Sequence, residues 1–147
     1  MAKKSKRMEL VRGLAERRKQ EADQMLAASR ARVEQDKMSE QQLQAFLGDY
    51  QQQYRNNAGQ SLSVAELQNQ QAFMQKITSA LLQQQKAAEM HQRELQAVEQ
   101  HWKQTYGKLK GMEKLVRTAR EQEEKEEDKQ LQKALDERSQ LVKTNFI

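Results

Sequence analysis

The chain has 147 residues and a net charge of +5, from 26 basic and 21 acidic side chains, and only 36% of its residues are hydrophobic and 5% aromatic, with a mean hydropathy of −1.11. So few apolar side chains cannot fill the core of a layered globular domain, which leaves disorder or long helices that each bury a narrow stripe. Helix formers dominate and proline is absent, so the composition selects helices: an all-α fold in one elongated domain over residues 1–147.

In chain order, residues 1–19 carry eight cations (Lys3, Lys4, Lys6, Arg7, Arg12, Arg17, Arg18, Lys19) against Glu9 and Glu16. Such an arm suits nucleic acid, a membrane surface or an acidic partner, or is a solvated helix end. Helix one is predicted over about residues 5–55. Its stripe runs Val11, Ala15, Ala22, Met25, Val33, then strengthens at Leu43, Leu47, Tyr50 and Tyr54, which have coiled-coil spacing. Between Met25 and Leu43 the stripe admits Ser29, Asp36 and Glu40 and slips by one residue, which reads as a stutter and leaves the first turns poorly packed.

A turn is predicted at 56–62. Asn56, Asn57 and Gly59 tolerate the positive φ that ends a helix and reverses the chain. Ser63 and Glu66 then form a capping-box pattern, with Leu62 and Leu67 at the positions of a hydrophobic staple. A turn here makes a hairpin and gathers Tyr50, Tyr54 and Phe73, three of the six Phe and Tyr residues, near its tip.

Helix two is predicted over about 63–138, with a tail at 139–147. Its seam reads Phe73, Ile77, Ala80, Gln84, Ala87, His91, Leu95, Val98, Trp102, Leu109, Met112, Val116, Ala119, interrupted between Trp102 and Leu109. Pairing residues 5–55 with 64–115 gives an antiparallel two-helix coiled coil about 75 Å long at ~1.5 Å per residue. Residues from about 118 on, including the acidic block 121–128, are left without a partner in the hairpin.

Nothing in the sequence suggests catalysis. His91 and His101 lie on different helical faces with no cysteine or carboxylate cluster at metal spacing, and His91 reads as a polar seam residue. Gly107 and Gly111 lack the Gly-Lys-Ser/Thr of a phosphate loop. A two-helix coil offers no pocket for a triad. The expectation is a non-enzyme without cofactor or metal. The absence of cysteine fits a reducing compartment, no apolar run approaches the ~18 residues of a membrane span, and the N-terminus has no signal-peptide core.

The run Leu47-Gly48-Asp49-Tyr50-Gln51-Gln52-Gln53-Tyr54-Arg55, the turn with Gly59, and then Leu67-Gln68-Asn69-Gln70-Gln71-Ala72-Phe73 and Ile77-Thr78-Ser79-Ala80 resemble the FliJ family of flagellar type III export proteins. The specific likeness covers residues 43–84. It implies a coiled-coil hairpin similar to the stalk subunit of rotary ATPases, cytoplasmic and peripheral at the inner face of the membrane in the flagellar basal body. The implied partners are a hexameric flagellar export ATPase, the cytoplasmic linker of an export-gate membrane protein, and export chaperones. Carried over by position, the gate contact falls on Leu47, Tyr50, Tyr54, Phe73, Ile77, Ala80 and Gln84; the family often has histidine where Gln84 stands. The end with both termini would enter the ATPase ring, where Arg7, Arg12, Arg17 and Arg18 are the candidate contacts. Two other readings stay open: a basic coiled coil that binds nucleic acid, against which the lack of aromatics in residues 1–19 speaks, and a purely structural coil.

Overall fold

With no proline to interrupt it, the chain forms two long helices, α1 (Lys4–Asn56) and α2 (Val64–Asn145), packed against each other as a hairpin in a computed structural model that describes residues 3–56 and 62–145. Ser63 starts α2 as its sequence predicts. The Glu66 N–H donates to the Ser63 hydroxyl at 3.1 Å, and the Leu67 N–H donates to the Ser63 carbonyl at 3.1 Å. A serine cap of this kind is worth about 1 kcal/mol. Leu62 and Leu67 are both half-buried, as staple residues are. Asn56 ends α1 in helical conformation, and the expected reversal through Asn57 and Gly59 lies outside the described residues. At its far end α2 continues past the predicted 138 to Asn145.

Packing divides the chain into two units, one formed by residues up to Glu21 with those from Lys103 on, the other by Ala22–Trp102. In the Ala22–Trp102 unit α1 turns Ala22, Leu26, Ser29, Val33, Asp36 and Glu40 inward, then Leu43, Leu47, Tyr50 and Tyr54. These positions alternate by four and three without interruption, so the heptad is continuous and the expected stutter does not exist. The correction lies in one choice: Leu26 is buried and its neighbour Met25 is exposed. On α2 the inward set is Leu67, Gln70, Met74, Ile77, Leu81, Gln84, then Ala88, His91, Leu95, Val98 and Trp102. Met74 and Leu81 thus take the places expected of Phe73 and Ala80, which are exposed. The buried leucines and isoleucine contribute roughly 1.5–3 kcal/mol each, but polar residues fill much of this seam.

The other unit continues the same spacing within each helix. Ser5, Met8, Arg12, Ala15 and Lys19 of α1 are buried or half-buried, and Val11 is exposed. On α2 Thr105 is buried and fills the gap expected between Trp102 and Leu109, and Leu109, Val116 and Ala119 follow it into the core. The acidic block is not without a partner, contrary to expectation. Glu123 accepts the Ser5 N–H at 3.0 Å and the Ser5 hydroxyl at 2.6 Å, and Glu127 pairs with Lys3. The first turn of α1 is therefore packed.

Candidate functional site

Three aromatic residues of the Ala22–Trp102 unit, Phe46, Tyr50 and Phe73, form one cluster. Tyr50 sits half-buried in the seam, and Phe73 stacks on it at a ring-centroid distance of 4.7 Å. Phe46 joins Phe73 at a ring-centroid distance of 6.3 Å. Phe46 is 55% and Phe73 39% exposed, so the pair presents an apolar surface beside a tyrosine anchored in the coil. Pairs in this geometry contribute about 0.5–1.5 kcal/mol beyond burial. Phe46 was missed in the sequence because it sits one residue off the stripe at Leu47, although it precedes Tyr50 by one helical turn.

The seven candidate gate residues therefore separate by position. Phe73 and Ala80 are exposed, and Leu47, Tyr50 and Tyr54 are half-buried seam residues whose edges reach solvent. Ile77 is buried. Gln84 is half-buried and donates from Nε2 to Asp36 at 3.1 Å, so its amide serves the seam.

Asp36 is the centre of a polar layer. It is only 8% exposed, and while one oxygen accepts from Gln84 the other lies 2.6 Å from His91 Nδ1. Gln84 and His91 are seven residues apart, so one carboxylate reaches two seam positions one heptad apart on α2. Near it Glu40 accepts from Gln85 at 3.4 Å and Arg32 pairs with Glu94 at 3.6 Å, and farther along the unit the Trp102 indole donates to Asp23 at 2.6 Å. His91 is thus a polar seam residue, in keeping with its sequence reading.

The four candidate ring arginines also separate. Arg7, Arg17 and Arg18 are exposed and take no ion-pair partner among the described residues. Arg12 is half-buried and clamped between Glu9 at 2.7 Å and Glu16 at 2.9 Å. Its hydrogen bonds to Glu9 and then Glu16 hold the guanidinium above its ordinary pKa. No group of His, Cys, Asp or Glu among the described residues could hold a metal ion, and no helix among them is long and apolar enough to cross a membrane.

Within each unit the seams keep heptad spacing on both helices, as an all-α coiled-coil hairpin requires. A family model described as "Flagellar FliJ protein" matches residues 4–143, nearly the whole chain. The chain belongs to the FliJ family. It is therefore a component of flagellar type III protein export. No curated protein and no solved structure matches the chain. Within this FliJ-family hairpin the likeness first noticed at residues 43–84 proves to be part of a match more than three times as long.

Proposed function

We propose that this FliJ-family chain is a non-enzymatic coupler between the flagellar export ATPase ring and the export gate, and that it escorts export chaperones between rounds. Membership in the family over residues 4–143 is the observation that carries this reading. Two surfaces support the division of labour. The unit formed by residues up to Glu21 and from Lys103 on presents Arg7, Arg17 and Arg18 as exposed cations with no ion-pair partner among the described residues, suited to steering into an acidic or dipolar channel without demanding one register. Arg12, committed to two glutamates, shapes that surface from within. The other unit presents Phe46 and Phe73 against Tyr50, rigid aromatic anchors of the kind that dominate interface energetics. A protein with no active site can control two machines when each binds a different surface of it. It would act at the cytoplasmic face of the inner membrane.

The test is ATP hydrolysis and ring assembly by the flagellar export ATPase with and without the chain, together with binding to the cytoplasmic part of the export gate. Stimulation should be lost in the Arg7→Gln, Arg17→Gln, Arg18→Gln variant and survive Phe46→Ala with Phe73→Ala. Gate binding should show the reverse pattern, weakening by about tenfold or more without the two rings. An ATPase whose turnover and assembly are indifferent to the wild-type chain would overturn the coupling role.

A further inference from the structure

In the unit that holds the helix termini, the helical period sorts the side chains of α1 by direction. Ser5, Met8, Arg12 and Ala15 face α2. Glu9 and Glu16 lie along one edge of the seam, where Glu9 meets Arg120 at 3.4 Å and both carboxylates hold Arg12. The face turned away from α2 therefore carries no acid between Lys6 and Arg18. It holds Lys6, Arg7, Leu10, Leu14 and Arg17, with Val11 and Arg18 toward the edge opposite Glu9. Leu10 is 75% exposed and Leu14 55%, far beyond what the hairpin needs from them, and Val11 is exposed beside them. On α2, the positions flanking the seam away from Arg120 are Lys108, Leu115, Gln122 and Lys129, again without a carboxylate, and Leu115 is exposed.

From Lys6 to Arg18 the charge on α1 is thus segregated, with Glu9 and Glu16 along one edge and a cationic face with an aliphatic centre on the other side. We propose that this face docks on an anionic lipid surface. Leu10, Val11 and Leu14 enter the boundary between headgroups and acyl chains, and Arg7, Arg17 and Arg18 pair with headgroup phosphates. A helix with aliphatics on one face bracketed by cations lies in such an interface, and the arginine fork matches phosphate geometry. The chemistry of the patch selects this occupant. Nucleic acid would be gripped by cations and stacked on aromatics, and this face has no aromatic while its centre is exposed leucine. Protein hot spots centre on Trp, Tyr and Arg with leucine under-represented, whereas aliphatic side chains gain from hydrocarbon without a shaped pocket. The run from Lys6 to Arg18 is about 18 Å long, so contact is shallow and reversible. This role goes beyond the coupling function and shares its arginines. Lipid and ATPase ring would therefore compete for the same face, and the bilayer would hold the chain until the ring engages it.

The experiment is co-sedimentation of the full chain with phosphatidylglycerol vesicles and, separately, phosphatidylcholine vesicles. The same measurement is made on Leu10→Gln with Leu14→Gln and on Arg17→Gln with Arg18→Gln, helical content being checked by circular dichroism. The wild-type chain should bind phosphatidylglycerol only. The leucine pair should weaken binding by about tenfold or more at unchanged charge, and the arginine pair by about 25-fold, roughly fivefold per cation. Absence of binding by the helical wild-type chain would overturn the proposal. So would leucine variants that bind vesicles as wild type does, or a duplex DNA that binds more tightly than vesicles and is insensitive to the leucine pair. ATPase stimulation is read in a vesicle-free assay, so failure on lipid leaves the coupling reading standing and failure of coupling leaves the lipid result interpretable.

Discussion

The first turn of α1 contains no acidic residue, yet its unpaired N–H groups meet a carboxylate. Glu123, from the other helix and 118 positions away, accepts both the backbone N–H and the hydroxyl of Ser5. An anion at a helix N-terminus answers both the orphan donors and the macrodipole. The Ser5 hydroxyl bond, then its backbone bond, holds Glu123 below the ordinary glutamate value of 4.5. The unfolded chain binds a proton at Glu123 near that ordinary value and the folded chain only at lower pH. The contact's stabilisation is therefore fully present above 4.5 and is lost as pH falls through the depressed folded value. Urea unfolding across an acidic pH series should show a shallower acid limb for Glu123→Gln than for wild type. Carbon-13 NMR should titrate the Glu123 carboxyl below the ordinary glutamate value of 4.5; a Glu123 that titrates at that ordinary value would remove the cap.

At the scale of the elements, the question is what sets the register of two helices whose seam is so polar. A leucine-rich seam tolerates slips by whole heptads, because each layer resembles the next. Asp36 does not, since its oxygens bond Gln84 and His91. A slip of one heptad would place it between Gln84 and Ile77 or between His91 and Val98, leaving one side of a buried carboxylate unpaired. A polar seam residue that specifies register at some cost in stability is a known device of coiled coils. Replacing both Asp36 and His91 by leucine should accordingly raise the unfolding free energy by about 1 kcal/mol or more. The same double variant should broaden the register. Because the chain has no cysteine, Arg32→Cys with Glu94→Cys, built where those side chains meet at 3.6 Å, offers a direct reading. Cross-linking of the two thiols by a short bis-maleimide should be efficient in the parent and reduced in the leucine variant. Unchanged cross-linking would mean that other layers, such as Trp102 with Asp23, carry the register.

At the scale of the whole chain, the net charge of +5 conceals opposed local charges that meet within one unit. Lys3 is neutralised by Glu127, Arg12 by Glu9 and Glu16, and Arg120 pairs with Glu9 as well. The arm that sequence offers to nucleic acid has therefore lost part of its cation supply to the chain's own carboxylates. Beyond Glu123 every side chain described on α2 is exposed, including Leu131, Leu135 and Val142. This stretch is helix with no buried side chain among the described residues. Truncation after residue 130 should leave the unfolding free energy within about 0.5 kcal/mol of the parent, while the helical signal falls with the residues removed. A truncation that lowers stability by more than about 2 kcal/mol would show that this stretch packs in solution.

Fold class, the start of α2 and the family were legible in the chain alone, for local reasons. Helix formers without proline leave the backbone one favourable choice, and Ser63 with Glu66 closes the orphan N–H groups from within four residues. The aromatic run at Leu47, Tyr50 and Tyr54 was legible because four-and-three spacing needs no partner to be recognised. The face of each helix was harder to read. Met25 or Leu26, Phe73 or Met74, Ala80 or Leu81 are adjacent choices of similar hydrophobicity, and one residue is a rotation of about 100°. Only the opposing helix distinguishes them, because burial belongs to the pair. The same holds for Asp36 and Glu123, which read as solvated charges until the structure supplies His91, Gln84 and Ser5. Sequence by itself determined the helices and their kinship; the tertiary structure decided which side chains face each other, since every hydrogen bond that sets the pairing joins residues dozens of positions apart.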